Sequence, residues 1–230
     1  SLANWATNAN NAAENGVDGL ISHSPYAAVY YPWALSTNLD GQNVFVPPSE
    51  MALRTYAYND QVAYPWFAPA GFNRAALDFV TNVSVRLDSA NKDSLYDARI
   101  NPIATFPRLG YVIYGQKTLQ INKSALDRVN VRRLMLEIKR IVSTIAQATV
   151  FEQNTPAVRN KFVADASFQL GLIQAQAGIE AFQVIMNESN NSQEDVDLNK
   201  LNGRIVVVPT RVVEYIAIDF IVTNSGVTFQ

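Results

Sequence analysis

The sequence predicts a mixed α+β fold, in which a small β-sheet is covered by helices and long irregular segments rich in proline and aromatic residues pack on it. In the second half of the chain, apolar residues first recur at helical spacing and later alternate at period two. No regular alternation of strands and helices connects these segments, which argues against a doubly wound parallel sheet.

Prolines and glycines divide the first half into short elements. Residues 1–23 are polar and are expected to form a loosely ordered lead-in. Residues 27–31 favour an extended strand. Because prolines flank this strand, it is unsuited to the centre of a sheet. The remaining expectations are a strand at 43–46, a helix that follows Pro48 and is capped by Ser49, a strand within 78–90, and a helical turn over 93–103 that ends at Asn101-Pro102.

The second half contains the clearest helical pattern. A helix is predicted over 127–151, after a capping pattern that begins at Ser124, and its apolar stripe is formed by Val131, Leu134, Ile138, Ile141, Ile145 and Ala148. Thr155 followed by Pro156 predicts the start of a second helix, which ends at Gly178. The other expected elements are strands at 110–120, 181–186 and 204–224, and a polar acidic loop at 187–197.

Composition limits the classes of partner. Eighteen Lys and Arg against 20 Asp and Glu give a formal net charge of −2, so no global basic field favours nucleic acid. The absence of cysteine excludes disulfides and Cys-ligated metal sites and favours the cytosol. No apolar run approaches a membrane span, and no signal peptide is recognised. Because the sequence begins at Ser1 in an Asn/Ala-rich stretch, we expect it to be a piece of a longer protein.

The common catalytic signatures are absent from the sequence. His23 is the only histidine, and Ser22 or Ser24 beside it would be the nucleophile of a hydrolase, but adjacent side chains rarely reach triad geometry. The acidic loop lacks the spacing of an EF-hand calcium loop, so a solvated connector is the favoured interpretation. We therefore predict a protein without enzyme activity, catalytic residues, cofactor or metal.

Two further patterns concern surfaces. A basic flank lies opposite the apolar stripe of the first long helix, and a solvated face explains it better than a partner site does; it consists of Arg132, Arg133, Lys139 and Arg140. The uncharged aromatic segments at 24–33 and 63–72 lack the convergent polar groups of a ligand site. We interpret both as irregular walls packed on the core.

Several motifs follow one another in a specific order: SPYAAVYYPW, VFVPPSEMA, YPWFAPAGFNR, ARINPIATFPRLGYVIYGQKTL, NVRRLMLEIKRIVSTIAQATVFEQN and GRIVVVPTRVVEYIAIDF. In this order they resemble the C-terminal region of contractile tail sheath proteins of myoviruses, which are related to the sheaths of R-type bacteriocins and type VI secretion systems. The resemblance covers about residues 24–222. Its most specific parts are VPPS, APAGFNR, INPI-x-x-FP, GQKTL with NVRR, and VFEQN.

Departures from the family pattern indicate a distant branch, such as a large phage. Tyr114 stands where the family usually has Trp in a V-W-G-A-R-T-L run, and Gln116-Lys117 replaces Ala-Arg. The helix after VPPS lacks the small residues and glycine that are usual there. The differences concern local contacts and leave the overall assignment unchanged.

The resemblance implies a structural protein of a contractile tail. Sheath subunits stack as hexameric rings into a helical tube around an inner tail tube, and the tube contracts to drive the inner tube through the host envelope for genome ejection. The implied partners are further copies of the chain, the inner tail tube protein, and the baseplate and tail terminator proteins, with neither nucleic acid nor membrane among them. The implied location is the virion, after assembly in the host cytoplasm.

The resemblance also implies candidate contact residues. In this family terminal arms add strands to the sheet of an adjacent subunit. The stretch 204–224 fits this role within a core domain at 24–230, and its candidate inter-subunit strand residues are Ile216, Ile218, Phe220 and Val222. The four basic residues become candidate contacts with the inner tube or a neighbouring subunit, because exposed charge pairs are weak and exchangeable.

Three alternatives stay open at this stage. The first is the sheath of an R-type bacteriocin or a type VI secretion system. The second is a carbohydrate-binding tail module that uses exposed aromatic residues such as Trp33 and Trp66. The third is a hydrolase that uses Ser24 and His23.

Overall fold

The computed structural model describes residues 24–214. Within this range the fold is mixed α+β, as predicted, with eight strands and five α-helices. The strands are β1 (Val29–Tyr31), β2 (Ala34–Thr37), β3 (Asn43–Val46), β4 (Val80–Val83), β5 (Ile100–Phe106), β6 (Gly110–Ile113), β7 (Ile179–Ile185) and β8 (Arg204–Pro209). The helices are α1 (Pro48–Val62), α2 (Ser89–Asp97), α3 (Val129–Gln147), α4 (Pro156–Ala175) and α5 (Gln193–Asp197).

The described strands form three small sheets instead of one. In the first sheet β5 lies between β1, which is parallel to it, and β6, which is antiparallel. In the second sheet β2 lies between β3 and β4, and both pairings are antiparallel. The third sheet is the antiparallel pair of β7 and β8. β1 occupies an edge, as its flanking prolines predict.

Two hydrophobic clusters form most of the core. The first cluster lies between α1 and the first two sheets and includes Met51, Leu77 and Ile103. The second cluster lies between α3, α4 and the β7–β8 sheet; its buried residues are Trp66, Leu134, Ile138, Leu170, Ile173 and Ile179. The predicted stripe of the first long helix is confirmed in its first half, because the apolar side of α3 is what the second cluster buries.

The predicted ends of the long helices agree with the structure within four residues. The helix predicted over 127–151 is Val129–Gln147, and the one predicted to end at Gly178 is Pro156–Ala175. Thr155 caps α4, because its hydroxyl oxygen accepts a hydrogen bond from the Val158 N–H at 3.4 Å. This capping prediction is confirmed.

The predicted caps of two other helices are wrong. Ser49 does not cap α1, which begins at Pro48 with Pro47 before it and has no side-chain cap. Proline suits the first helical position because its missing N–H would have no partner there. Ser124 caps a separate 3-10 turn at residues 125–127, where its hydroxyl accepts from the Leu126 N–H at 3.1 Å, and α3 starts after that turn.

The helical turn expected over 93–103 is confirmed for residues 93–97, but its predicted end at Asn101-Pro102 is wrong. α2 ends at Asp97, and Asn101-Pro102 lies inside β5. Arg99 has a φ of 61°, in the left-handed region, and this residue turns the chain from the helix into the strand. Proline disfavours a helical conformation for the preceding residue and suits an extended one, so the same dipeptide fits a strand.

The predicted strands are present, with differences in length. The strand expected at 181–186 is Ile179–Ile185. The strands expected within 78–90 and 110–120 are shorter, at Val80–Val83 and Gly110–Ile113. The strand expected over 204–224 is present at Arg204–Pro209. The prediction is wrong for residues 210–214, which are not strand, and residues 215–224 lie outside the described range.

The aromatic segments at 24–33 and 63–72 pack on the core only in part, because some of their side chains are buried and others are exposed. Tyr30 lies in the first cluster and Trp66 in the second, and both are buried. The Trp66 indole N–H donates to the Gln176 carbonyl at 3.1 Å, which satisfies its buried polar group. Tyr26 and Trp33 are 71% and 48% exposed, so the interpretation as a core wall is wrong for these two residues.

Several predictions concern residues outside the described range of 24–214. These residues are the lead-in at 1–23, which contains His23, and the candidate strand residues Ile216, Ile218, Phe220 and Val222. The division into this lead-in and a core domain at 24–230 stays a prediction. None of the helices described here is long and apolar enough to cross a membrane.

Replacing Leu170 with alanine should lower the free energy of unfolding by about 2–5 kcal/mol, because its side chain is almost fully buried in the second cluster. Leu172→Ala on the same helix is the matched control. Leu172 is 44% exposed, and its substitution should change the free energy of unfolding by less than about 0.5 kcal/mol. Urea unfolding followed by circular dichroism measures both, and equal losses would contradict the packing of α4.

Candidate interaction site

The four basic residues predicted on α3 do not form one continuous surface. Arg132 Nε donates to the Pro25 carbonyl at 2.9 Å, and its guanidinium lies 3.9 Å from the centre of the Tyr26 ring. One Nη of Arg133 donates to both carboxylate oxygens of Asp60, at 2.7 and 2.6 Å. These two arginines therefore hold other segments of the same chain against α3.

Lys139 and Arg140 lie further along α3 and are exposed. Arg140 pairs with Glu137 on the same helix at 2.6 Å, and the hydrogen bond from Arg140 is the main cause that lowers the pKa of Glu137. The Lys139 side chain makes no ion pair or hydrogen bond with residues 24–214. Of the four predicted contact residues, these two are presented outwards, and their contact with a partner stays a prediction.

β7 and β8 form a two-stranded sheet with apolar side chains exposed on β8. The side chains of β8 alternate: Ile205 and Val207 pack on the second cluster, whereas Val206 and Val208 are exposed. Within the described part of the chain each strand has one neighbour. One line of backbone N–H and C=O groups on each strand is therefore available for pairing with another strand.

The side chain of Glu214, the last described residue, attaches the chain after β8 to the rest of the fold. Arg128 donates to both carboxylate oxygens of Glu214, from Nε at 2.6 Å and from Nη2 at 2.8 Å. The Tyr96 hydroxyl donates to the same carboxylate at 2.6 Å, and the Gln116 side-chain amide does so at 3.5 Å. Because the Arg128 and Glu214 side chains are only 27% and 19% exposed, water weakens this two-bond ion pair little.

Asn101 connects the Glu214 cluster, which consists of Glu214 with Tyr96, Gln116 and Arg128, to the first sheet. Its fully buried side chain donates to the carbonyls of Val29 and Lys117 at 3.1 and 2.9 Å and accepts from the Lys117 N–H at 2.6 Å. A Cβ on Gly115 would lie 2.9 Å from the Asn101 side-chain oxygen, so glycine is required for this close approach. An antiparallel bridge between Lys117 and Arg128 continues the connection to the start of α3.

The cluster favours the ionised form of Glu214. Burial would raise the pKa of Glu214, but hydrogen bonds from Arg128 and Tyr96 and the charge of Arg128 outweigh burial, and the pKa lies below its ordinary value. Burial would lower the pKa of Arg128, yet Glu214 raises it. Burial, followed by repulsion from Arg128, lowers the pKa of Lys117, whose ammonium lies 3.5 Å from the centre of the Tyr96 ring.

Sequence reasoning did not single out Tyr96, Arg128 or Glu214. Arg128 and Glu214 are 86 residues apart, and no local pattern links them. One signal was available, because Glu214 is the single charged residue between Arg211 and Asp219 in an otherwise apolar stretch. A lone charge in such a stretch requires a partner if it is to be buried.

The acidic loop predicted at 187–197 is a structured connector that contains α5. Ser192 and Asp195 form a reciprocal capping box at the start of this helix. The buried Asn191 side chain donates to the carbonyls of Asn187 and Asn202 at 3.1 and 2.9 Å. The residues that the structure describes contain no cluster of three or more potential metal ligands, and His23 lies outside them.

Two curated proteins are similar to nearly the whole chain, although no family model matches it. The tail sheath protein of Vibrio phage KVP40 is 35% identical over 215 residues, which are 93% of this chain and 32% of that protein. The tail sheath protein of Enterobacteria phage T4 is 30% identical in an alignment of 234 positions, which covers 100% of this chain and 35% of that protein. The resemblance to contractile tail sheath proteins is confirmed, and the chain spans about a third of the length of these relatives.

A solved structure has the same fold. The PVC sheath complex of an extracellular contractile injection system, determined by cryo-EM in its contracted state, superposes with a TM-score of 0.79 at 26% identity. The match covers 93% of this chain and 60% of that one. The mixed α+β arrangement of helices and small sheets is therefore shared with a contractile sheath subunit.

Replacing Glu214 with glutamine should lower the free energy of unfolding at neutral pH by about 1–3 kcal/mol, because it removes the charge that Arg128 and Tyr96 stabilise. The folded pKa of Glu214 lies below the unfolded value of 4.5, so this stabilisation is complete above pH 4.5 and is lost as the pH falls through the folded pKa. The difference between wild type and E214Q should therefore be constant near neutral pH and shrink in acid.

Urea unfolding of both proteins over a pH series measures this difference. Lys117 and Asp127, which lie near the pair, are present in both proteins, so the comparison isolates the Glu214 carboxylate. A difference that stays the same down to about pH 3 would show that the charge of Glu214 contributes nothing.

Proposed function

We propose that this chain is part of a phage tail sheath protein that polymerises into a helical tube around the inner tail tube and contracts to drive that tube through the host envelope. The main support for the proposal is that the chain is 35% and 30% identical in sequence to two phage tail sheath proteins along nearly its whole length. The fold shared with a contracted sheath complex supports it. From the order of the motifs, we assign the chain to the C-terminal region of the subunit.

In this proposal the sheath performs its function without catalytic chemistry. An extended lattice of nearly rigid subunits holds free energy that is released when the subunits repack in a second arrangement. Heterologous contacts that do not close into a ring produce the helical polymer. The relatives are named as tail sheath proteins, and we infer that this chain is likewise structural and has no enzyme activity.

Strand addition at the β7–β8 sheet would link neighbouring subunits. The unpaired edges of β7 and β8 and the exposed side chains of Val206 and Val208 support this inference, because an added strand would pair with the edge and cover apolar surface. The donor would be the stretch that follows Glu214, with the candidate residues Ile216, Ile218, Phe220 and Val222.

The exposed cations of α3 would supply a contact that can be exchanged during contraction. Lys139 and Arg140 are exposed, and solvent-exposed charge pairs are weak and screened by salt. The partner surface would belong to the inner tail tube or to a neighbouring subunit. Baseplate and tail terminator proteins would contact the ends of the polymer, within the virion.

A sheath of another contractile particle is the second candidate function. The fold shared with the sheath of an extracellular contractile injection system favours it, and an R-type bacteriocin or a type VI secretion system would use the same subunit chemistry. Purified particles distinguish the candidates, because a phage tail is joined to a DNA-filled head and the other particles are not.

Negative-stain electron microscopy of the complete parent protein, purified and concentrated, tests the sheath function. The wild type should form hollow ribbed tubes. Ile218→Lys together with Phe220→Lys should abolish the tubes, since both charges would fall on the apolar face of the candidate strand. Asp219→Lys, on the alternate face, is the matched control and should retain them.

Monodisperse wild-type particles, even with the inner tube protein supplied, would contradict the proposed function. Tubes formed equally well by the double variant would contradict the assignment of the strand while leaving the sheath assignment intact. Protection of Trp33 from fluorescence quenching by a glycan would instead favour the carbohydrate-binding module.

Reversing the two exposed charges, by Lys139→Glu and Arg140→Glu, should weaken co-assembly of the sheath with the inner tube. The subunit should stay folded, because the Arg140–Glu137 pair that is lost is exposed and stabilises the fold little. Arg132→Glu with Arg133→Glu should instead destabilise the subunit, because both arginines bind other segments of the same chain. Co-sedimentation with tube protein at low and high salt measures the first effect. Unaltered co-assembly of the Lys139/Arg140 variant would contradict the contact.

A further inference from the structure

The chain between β8 and Glu214 has few attachments to the rest of the subunit. The Thr210 N–H donates to the Gly178 carbonyl at 3.2 Å. Residues 211–213 are exposed and make no hydrogen bond or ion pair with residues 24–214. After Thr210, Glu214 is therefore the next polar attachment among the described residues.

Three separate segments converge on the Glu214 carboxylate. Tyr96 comes from α2, Gln116 from the loop after β6, and Arg128 from the position before α3. β8, which leads to Glu214, packs instead on the second cluster through Ile205 and Val207. The contacts of Glu214 therefore join the end of the β7–β8 sheet to the part of the subunit built around the first sheet.

We propose that Arg128 is a positioning residue for strand addition, because it clamps Glu214 and thereby fixes where and in which direction the segment after residue 214 leaves the subunit. This inference rests on the proposed function, in which that segment pairs with a neighbouring subunit. Without the clamp the chain beyond Thr210 would sample many directions. More conformational entropy would then be lost when the strand pairs.

The geometry of the pair suits this role. The guanidinium of Arg128 donates from two nitrogens to two oxygens of Glu214, which sets the orientation of the carboxylate as well as its position. One residue separates Glu214 from Ile216. A fixed orientation at Glu214 therefore limits the directions open to the first residue of the candidate strand.

Limited trypsin digestion of the complete, unassembled protein tests the clamp. Trypsin cuts after Arg211 when the surrounding chain detaches and extends, so the rate of this cut reports detachment. For Arg128→Ala and Glu214→Gln the rate, followed by mass spectrometry, should rise about tenfold. Arg128→Lys keeps the charge and should give an intermediate rate. Glu137→Gln, which removes an exposed ion pair with Arg140, is the matched control and should leave the rate unchanged.

Tube formation by the same variants tests whether the Arg128–Glu214 pair affects assembly. Arg128→Ala and Glu214→Gln should need about tenfold more protein than the wild type to form tubes, whereas Glu137→Gln should match the wild type. Circular dichroism at the assay temperature establishes that each variant is folded. Arg128→Lys should restore part of the assembly, which a general loss of stability would not predict.

These experiments give different results if the inference about Arg128 and Glu214 fails and if the proposed sheath function fails. An unchanged cut after Arg211 in both Arg128→Ala and Glu214→Gln would overturn the inference even if every variant forms tubes. A faster cut with normal tube formation would overturn the positioning role. If the wild type forms no tubes, the proposed function fails, while a faster cut in the variants would still support the attachment at Glu214.

Discussion

The buried side-chain amide of Asn101 holds the parts of this subunit in register. It bonds the backbone of Val29 in β1 and both backbone groups of Lys117, and Lys117 is bridged to Arg128 at the entrance to α3. A shift of any of these segments would leave buried polar groups without partners, which costs far more than an exposed hydrogen bond. The first sheet, the start of α3 and the Glu214 cluster are therefore fixed relative to one another.

The second cluster supports a surface that is unfavourable for an isolated subunit. Val206 and Val208 are exposed on β8, whose outer edge is unpaired among the described residues, and a net charge of −2 provides little repulsion between copies. Such a surface promotes association. This property is a disadvantage for a monomer and an advantage for a protein whose working state is a polymer.

Charged residues have two distinct roles, which depend on burial. Arg128 and Arg133 make two-bond contacts with carboxylates that are distant in sequence, and they hold segments of the chain together. Lys139 and Arg140 lie in solvent, where salt screens them and their contacts can be exchanged. Both kinds of cation stand on or beside the same helix, so composition alone does not separate them.

Local patterns were sufficient to predict the elements whose formation depends on neighbouring residues. The stripe of α3 and the Thr155 cap of α4 follow from spacing along a single helix, and the edge position of β1 follows from the geometry of its prolines. The order of the motifs was sufficient to indicate the sheath family. These features need no information about distant parts of the chain.

Long-range packing decided the remaining features. Asn101-Pro102 fits the end of a helix or a strand equally well, and the bonds that Asn101 makes to Val29 and Lys117 select the strand. The Arg128–Glu214 pair, 86 residues apart, forms because the fold brings the segment after β8 back to the start of α3. Periodicity reports which face of an element is buried, but only the packed structure decides which distant residues meet there, because that choice depends on all of the contacts together.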